Sequence, residues 1–375
     1  MGERVVLARC DGYRQDDVDS AVGVAVAELG GVAAFAKPGN RVLLKPNLLL
    51  PRKPEGAATT HPAVVAAVAK LFAAHGCNVE IADSCGGPAA TTLNKTLYKT
   101  TGMAEAARQT GATLRLDTGY SERTYTGGET ARVFPILQAL CDADVIVNIA
   151  KLKTHGLGYY TGAVKNMYGA LPGLIKSKVH GQFARPEDFF SMVVDLYECL
   201  KPALNIIDGI VGMEGDGPSG GTPKAANAII AGVNGHAVDR VAIEIMGLEA
   251  DRVYSLAEAT RRSLCPPLGE IELVGHSLDD LRTVFRPPTT LGSTMAPWVL
   301  RVLNLFLRGK GIRDRRPWPV VRAKDCTGCN QCKTACPRDV VAMVGGKARI
   351  ERAGCIRCYC CHELCPHHAV DLSRR

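Results

Sequence analysis

Two short stretches near the C-terminal end carry chemistry in their spacing: CTGCNQCKTACP, from Cys326, and CIRCYCCHELCP, from Cys355. Each reads C-x2-C-x2-C-x3-C-P, a spacing in which three thiolates of a run grip one iron–sulfur cubane and the fourth reaches across to another. The expected ligand sets are Cys326, Cys329, Cys332 and Cys365 for one [4Fe-4S] cluster, and Cys355, Cys358, Cys361 and Cys336 for a second. Pro337 and Pro366 follow the fourth ligands, and Cys360 is left over as a bystander. Zinc is the competing reading, but zinc usually takes Cys-x2-Cys ends from separate loops, four ligands per ion. Two unbroken four-cysteine runs fit clusters better.

Residues 319–375 as a whole resemble a two-cluster ferredoxin domain of the bacterial type, which implies a small α+β unit that carries electrons. Between the runs, VVAMVGGKARIERAG sets apolar residues on either side of Gly345-Gly346, a turn signal between two short strands. The other cysteines, Cys10, Cys77, Cys85, Cys141, Cys199 and Cys265, are scattered. Fifteen cysteines behind an N-terminus with no apolar signal core point to metal or redox chemistry rather than disulfides, and to the cytoplasm.

A second candidate is KLKTHGLGYYTGAVKNMYG, residues 151–169, which holds Lys151, Lys153, His155 and Lys165 and no acid. No Asp or Glu occurs between Asp144 and Glu187. Unbalanced cations among glycines suggest a clamp for an anionic small molecule, or stabilisation of charge that develops in a reaction. Neighbouring cations would push His155 towards neutral imidazole, a usable base or ligand.

These side chains need elements to position them. VVLARC, VLLKPN, VEIADS, TLRLD, DVIVNIA, LNIIDGI and NAIIAG read as strands, mostly continuous apolar runs suited to burial on both faces. DDVDSAVGVAVAELGG, HPAVVAAVAKLFAAHG, PEDFFSMVVDLYECL and HAVDRVAIEIMGL read as helices, the second with Thr60 and His61 as candidate caps before Pro62. The alternation predicts an α/β fold over 1–285, a largely parallel sheet with flanking helices. Ligands of such sheets gather beyond the carboxyl ends of the strands. There the sequence places Lys45 and Asn47, Asp83, the cationic segment, and Asp208 with its following glycine-rich loop.

That loop, GMEGDGPSGGTPK, lacks the Gly-Lys-Ser/Thr of a P-loop and is acidic; it is expected to close the pocket, with Glu214 as a metal ligand or proton donor. His180 falls in a following loop, and Cys85, in SCGG, reads as a small buried thiol. A basic, helical linker over 286–318 is expected, offering docking to an acidic electron donor or, through MAPWVLRVLNLFL, a peripheral membrane contact.

VLLKPNLLLPRKPEGAATTHPAVV, VEIADSCGG, AKLKTHGLGYYTGAVKNMYGALPG and IIDGIVGMEGDGPSGGTP together resemble the family of domains of unknown function numbered 362, over about residues 40–250. Members often carry a ferredoxin-like tail. The resemblance implies a shared site at Lys45, Asn47, Thr60, His61, Asp83, Lys151, Lys153, His155, Lys165, Asn166, Asp208 and Glu214.

The resulting expectation is an iron–sulfur oxidoreductase. Lys45, Asp83, Lys151, Lys153, His155, Lys165 and Glu214 would do the chemistry, while Asn47, His61, Asn166 and Asp208 would bind a second, unidentified cofactor or the substrate. A redox donor or acceptor protein is the expected partner. The alternatives are a non-catalytic electron carrier and a metallocofactor-assembly partner. Net charge of +8 favours anionic partners, but no nucleic-acid motif is present and nucleic acid is not expected.

Overall fold

The computed structural model describes residues 3–290 and 316–374. Its first unit holds strands β1 (Arg4–Arg9), β2 (Arg41–Lys45), β3 (Asn78–Ile81), β4 (Thr113–Leu114), β5 (Tyr120–Thr124), β6 (Val133–Leu137), β7 (Val145–His155), β8 (Tyr159–Thr161), β9 (Leu204–Glu214), β10 (Thr222–Gly232) and β11 (Glu272–Gly275). Nine of them form one sheet in the order β11-β1-β10-β9-β7-β2-β3-β4, with β8 folded back onto β7. β4, β3, β2, β7 and β9 run parallel, as does β11 on β1; β10 is antiparallel to both β9 and β1. The stretches 146–150 and 204–207, apolar but for Asn148 and Asn205, are buried on both sides, which a sheet between helical layers requires. The helices Gln15–Glu28 and Pro62–Ala74 cover one face, with Val18, Val22, Val64 and Val68 in that core. Pro186–Leu200 and Gly235–Ile245 serve the other face.

Two strands depart from the sequence expectation. β7 does not stop at Ala150; it continues buried through His155 and turns back into β8, pairing His155 with Tyr159. TLRLD gives only the two-residue β4, because the Arg115 carbonyl goes to the Tyr98 hydroxyl (2.9 Å) and its side chain to Glu80, Asp117 and Asp142. The helices Thr91–Thr100 and Met103–Thr110 were not anticipated.

The second unit holds β12 (Trp318–Val321), β13 (Val341–Val344), β14 (Lys347–Ile350) and β15 (Val370–Ser373), paired β12–β15 and β13–β14. The turn at Gly345-Gly346 has positive φ at both residues (55° and 73°), the hairpin geometry that favours glycine. Most of the basic linker, including 295–307, lies outside the described residues. Its first residues pack on the α/β unit: Thr290 Oγ1 donates to the Gly156 carbonyl (2.5 Å) and Thr289 to Asp216. Among the described residues, no helix is long and apolar enough to cross a membrane.

Candidate functional site

The parallel strands bring their carboxyl ends to one edge, and register decides which side chains meet there. β7 pairs Lys151 with Asp208 and Asn148 with Asn205; β2 pairs Lys45 with Asn148. Cross-strand partners share a face. Lys151 Nζ accordingly donates to Asp208 (2.9 Å) and to the Tyr13 hydroxyl (2.8 Å). Asp208 also accepts from Tyr13 (2.9 Å) and from the backbone N–H of His61 (2.9 Å). On the opposite face, Lys45 donates to Asp83 (2.8 Å), whose other oxygen accepts from the Leu48 N–H (2.7 Å). Lys45 and Lys151, expected to face an anion, face carboxylates instead, and both ion pairs are fully buried.

A chain of asparagines ties the strands together. Asn47 donates to Asn166 (2.9 Å), Asn166 to Asn148 (2.7 Å), and Asn148 to Asn205 (2.9 Å). Lys153 ends this chain: its ammonium donates to Asn47 Oδ1 (2.6 Å) and to the Ala58 carbonyl (2.8 Å). No carboxylate forms an ion pair with Lys153 or Lys165 among the described residues. Burial, with Lys165 and Lys151 nearby, pulls Lys153 down to about 7; burial also lowers Lys165, against the opposing charge of the buried Glu363, and the Lys165 ammonium lies 5.8 Å from the Tyr168 ring.

β7 exposes this end of the sheet to the second unit. His155 Nδ1 accepts the N–H groups of Leu157 (3.0 Å) and Gly158 (3.2 Å), which leaves the ring proton on Nε2. Nε2 faces Glu363 Oε1 at 3.4 Å, and neither atom has a hydrogen-bond partner. Burial, then Lys165 and Lys153, hold His155 far below the ordinary imidazole range, so the ring is neutral. Ser219 Oγ donates to the Glu363 carbonyl (2.9 Å), and Tyr359 is buried in the α/β core. The contact is close: a Cβ on Gly86 would lie 2.2 Å from Leu364 Cδ2.

The cysteines sort into the two expected sets. Cys326, Cys329, Cys332 and Cys365 line one hollow; Cys336, Cys355, Cys358 and Cys361 line another. Among the described residues, no group of three or more Cys, His or carboxylate side chains is placed to hold a metal ion. Four thiols around each hollow are a donor set that suits a polynuclear cluster. The N–H groups of Ala348 and Ala369 point at Cys326 Sγ (3.4 Å) and Cys365 Sγ (3.2 Å), contacts of the kind that tune cluster potentials.

Residues 42–244 match the family model described as "Domain of unknown function (DUF362)". The chain belongs to this family. Residues 319–366 of this DUF362 protein match a model described as a 4Fe-4S dicluster domain, so the second unit is an iron–sulfur domain for [4Fe-4S] clusters. Over 276 residues the protein is 32% identical to the thylakoid-associated protein sll1697 of Synechocystis sp., covering 72% of this chain and 83% of that one. The lactate racemase apoprotein from Thermoanaerobacterium thermosaccharolyticum superposes over 63% of this chain and 56% of its own, with 15% identity and a TM-score of 0.40.

The remaining expected residues of the DUF362 domain lie further out. His61 caps Pro62–Ala74 through Nδ1 and stacks on Tyr13 at 3.6 Å; burial lowers it to about 4. Thr60 donates to the Ile149 carbonyl (2.7 Å) and accepts from Asn47 N–H (2.8 Å), tying loop to sheet instead of capping. Glu214, expected as a metal ligand or proton donor, is held by the backbone N–H (2.9 Å) and Nε (2.7 Å) of Arg286. Burial works against its charge, but these bonds keep it below the usual carboxylate range. His180 stacks on Phe189 at 4.0 Å and burial lowers it to about 3. Cys85 is buried, and Lys176 bonds its carbonyl (3.2 Å). Sequence reasoning missed Tyr13, Asn148, Asn205, Lys176 and Glu363. Asparagine inside VIVNIA and LNIID was the available signal for two of them, since a buried amide needs partners.

Proposed function

We propose that this DUF362 protein is an iron–sulfur oxidoreductase that holds two [4Fe-4S] clusters and acts on an anionic small molecule beside Lys153, His155 and Lys165. One observation carries the reading: the second cysteine run is seated on the end of β7, with Glu363 against His155. When bound, the clusters supply single electrons. The chain's own residues supply the rest. Lys153, drawn down to about 7, is poised to give or take a proton near neutral pH. Lys165 and Lys153, with no carboxylate paired to them among the described residues, offer positive charge to an anion in a water-poor site. His155 offers a fixed Nε2–H donor. The two buried ion pairs and the asparagine chain form a rigid floor beneath them.

The test is anaerobic reconstitution of the full chain, iron quantification and EPR of the reduced protein with and without small carboxylates, phosphate and sulfate. About eight irons per chain and a cluster signal altered by one of these anions are expected, with the alteration lost in Lys165→Ala. A cluster signal that no anion alters would leave a non-catalytic electron carrier as the better account.

A further inference from the structure

The two cysteine sets meet solvent differently. In the first, Cys329 is exposed, and Thr327, Asn330, Gln331 and His367 around the same hollow are exposed with it. Among the eight expected ligands Cys329 is the exposed one: Cys326, Cys332 and Cys365 are buried, and in the second set Cys361 is buried and Cys336, Cys355 and Cys358 are half-buried, with Tyr359 beside that hollow packed into the α/β core.

The surroundings of the first hollow are also cationic. Lys324 and Lys333 are exposed, each within two residues of a ligand cysteine, and the exposed Lys347 donates to the Cys326 carbonyl. Arg52 reaches across from the α/β unit to the Cys365 carbonyl (3.2 Å) and the His368 ring (2.6 Å). Two acids of this unit are already engaged, since Asp325 and Asp371 both pair with Arg322. An exposed thiolate ligand with exposed lysines around it is a place where an electron can be exchanged with a protein of opposite charge.

We propose that the face centred on Cys329 is the docking surface for an acidic one-electron carrier protein. In the exchange the carrier gives up one electron and the iron–sulfur group held by Cys326, Cys329, Cys332 and Cys365 takes it; no bond or proton moves. The surface does not depend on whether the Lys153 site is catalytic.

The test uses the full chain, anaerobically reconstituted, with photoreduced plant-type ferredoxin as the acidic probe in stopped-flow absorbance. The second-order rate should fall steeply with added salt. The double variant Lys324→Glu/Lys333→Glu should be slower by about tenfold or more at low salt. Arg352→Glu, beside Trp318 near the second set, should change the rate by less than about twofold, because it leaves the Cys329 face untouched. Iron content and EPR of each variant establish that clusters are retained. A salt-independent rate, an undiminished rate in the double variant, or a loss in Arg352→Glu equal to or larger than that of the double variant would overturn the assignment.

Discussion

The floor and the rim of the α/β edge treat buried lysine in opposite ways. In the floor, Lys45 and Lys151 each contact a carboxylate, and the second oxygen of each acid is satisfied by a backbone N–H or a tyrosine hydroxyl. At the rim, Lys153 has an amide oxygen and a carbonyl, and Lys165 has the face of Tyr168. All four belong to motifs that look alike in sequence. For Lys151 and Lys153 the difference is made by register: Asp208 lies beside Lys151 on the neighbouring strand, while the pairing partner of Lys153 is Met213, beyond an irregularity in β9. On β7, then, the lysine left without a carboxylate is the one beside which β9 supplies no acid.

Breaking the floor should have the largest effect. Asp208→Ala or Asp83→Ala leaves a lysine uncompensated in the interior, and removing one partner of a buried pair costs about 3–5 kcal/mol. Denaturant unfolding of the anaerobically purified variants measures it. A loss below about 1 kcal/mol would mean that the pairs are not the rigid floor.

The rim should answer to pH. The folded-state value of Lys153, about 7, lies below its unfolded value of 10.5, so between these limits the unfolded chain binds more protons. Stability should therefore rise with pH across that window, with a limiting slope of about 1.4 kcal/mol per pH unit from this one group. Lys153→Met should flatten the rise relative to wild type, while Lys176, drawn down to about 8, contributes in the same direction in both proteins. Parallel stability–pH curves would show Lys153 to be paired in a way the geometry does not support.

The two units also differ in how far sequence could be read. The cysteine sets were legible because spacing within each twelve-residue run places three thiols around one hollow and sends the fourth to the other. The sheet was legible from apolar runs, and its parallel half followed. The rim was not. Its decisive acid, Glu363, is more than two hundred residues from His155, and no local pattern announces that contact. The alternation Lys151, Lys153, His155 was present as a strand signal, but charges in the odd positions made the expected strand end at Ala150 and set the cationic segment beyond it. Period two outlasted polarity because β9 and β8 pair with β7 over this stretch.

A smaller effect should come from the asparagine chain that joins floor to rim. Asn148→Ala takes the amide donor from the buried Asn205 Oδ1 and from the Ala163 carbonyl and leaves Asn166 with only its longer bonds to the Lys45 and Pro46 carbonyls, and an unsatisfied buried polar group costs about 1–3 kcal/mol. Asn166 also positions Asn47, the acceptor of Lys153, so the same substitution should disturb the pH slope of stability assigned to that lysine. An Asn148→Ala protein with lowered stability but an unchanged slope would separate the floor from the rim energetically.

The smallest effect is expected outside both, at Glu214. Its Arg286 partner is largely exposed, so the pair is screened, and Glu214→Gln keeps an acceptor for the Arg286 N–H. A change of about 1 kcal/mol or less is expected. Because Glu214 is held below its ordinary value, the pair's stabilisation is present above the unfolded carboxylate range and fades as pH falls through the folded value. Wild type and Glu214→Gln should therefore differ at neutral pH and converge in acid. If instead the substitution costs as much as Asp208→Ala, the neutralised floor extends to the end of β9, and the distinction between floor and rim would have to include it.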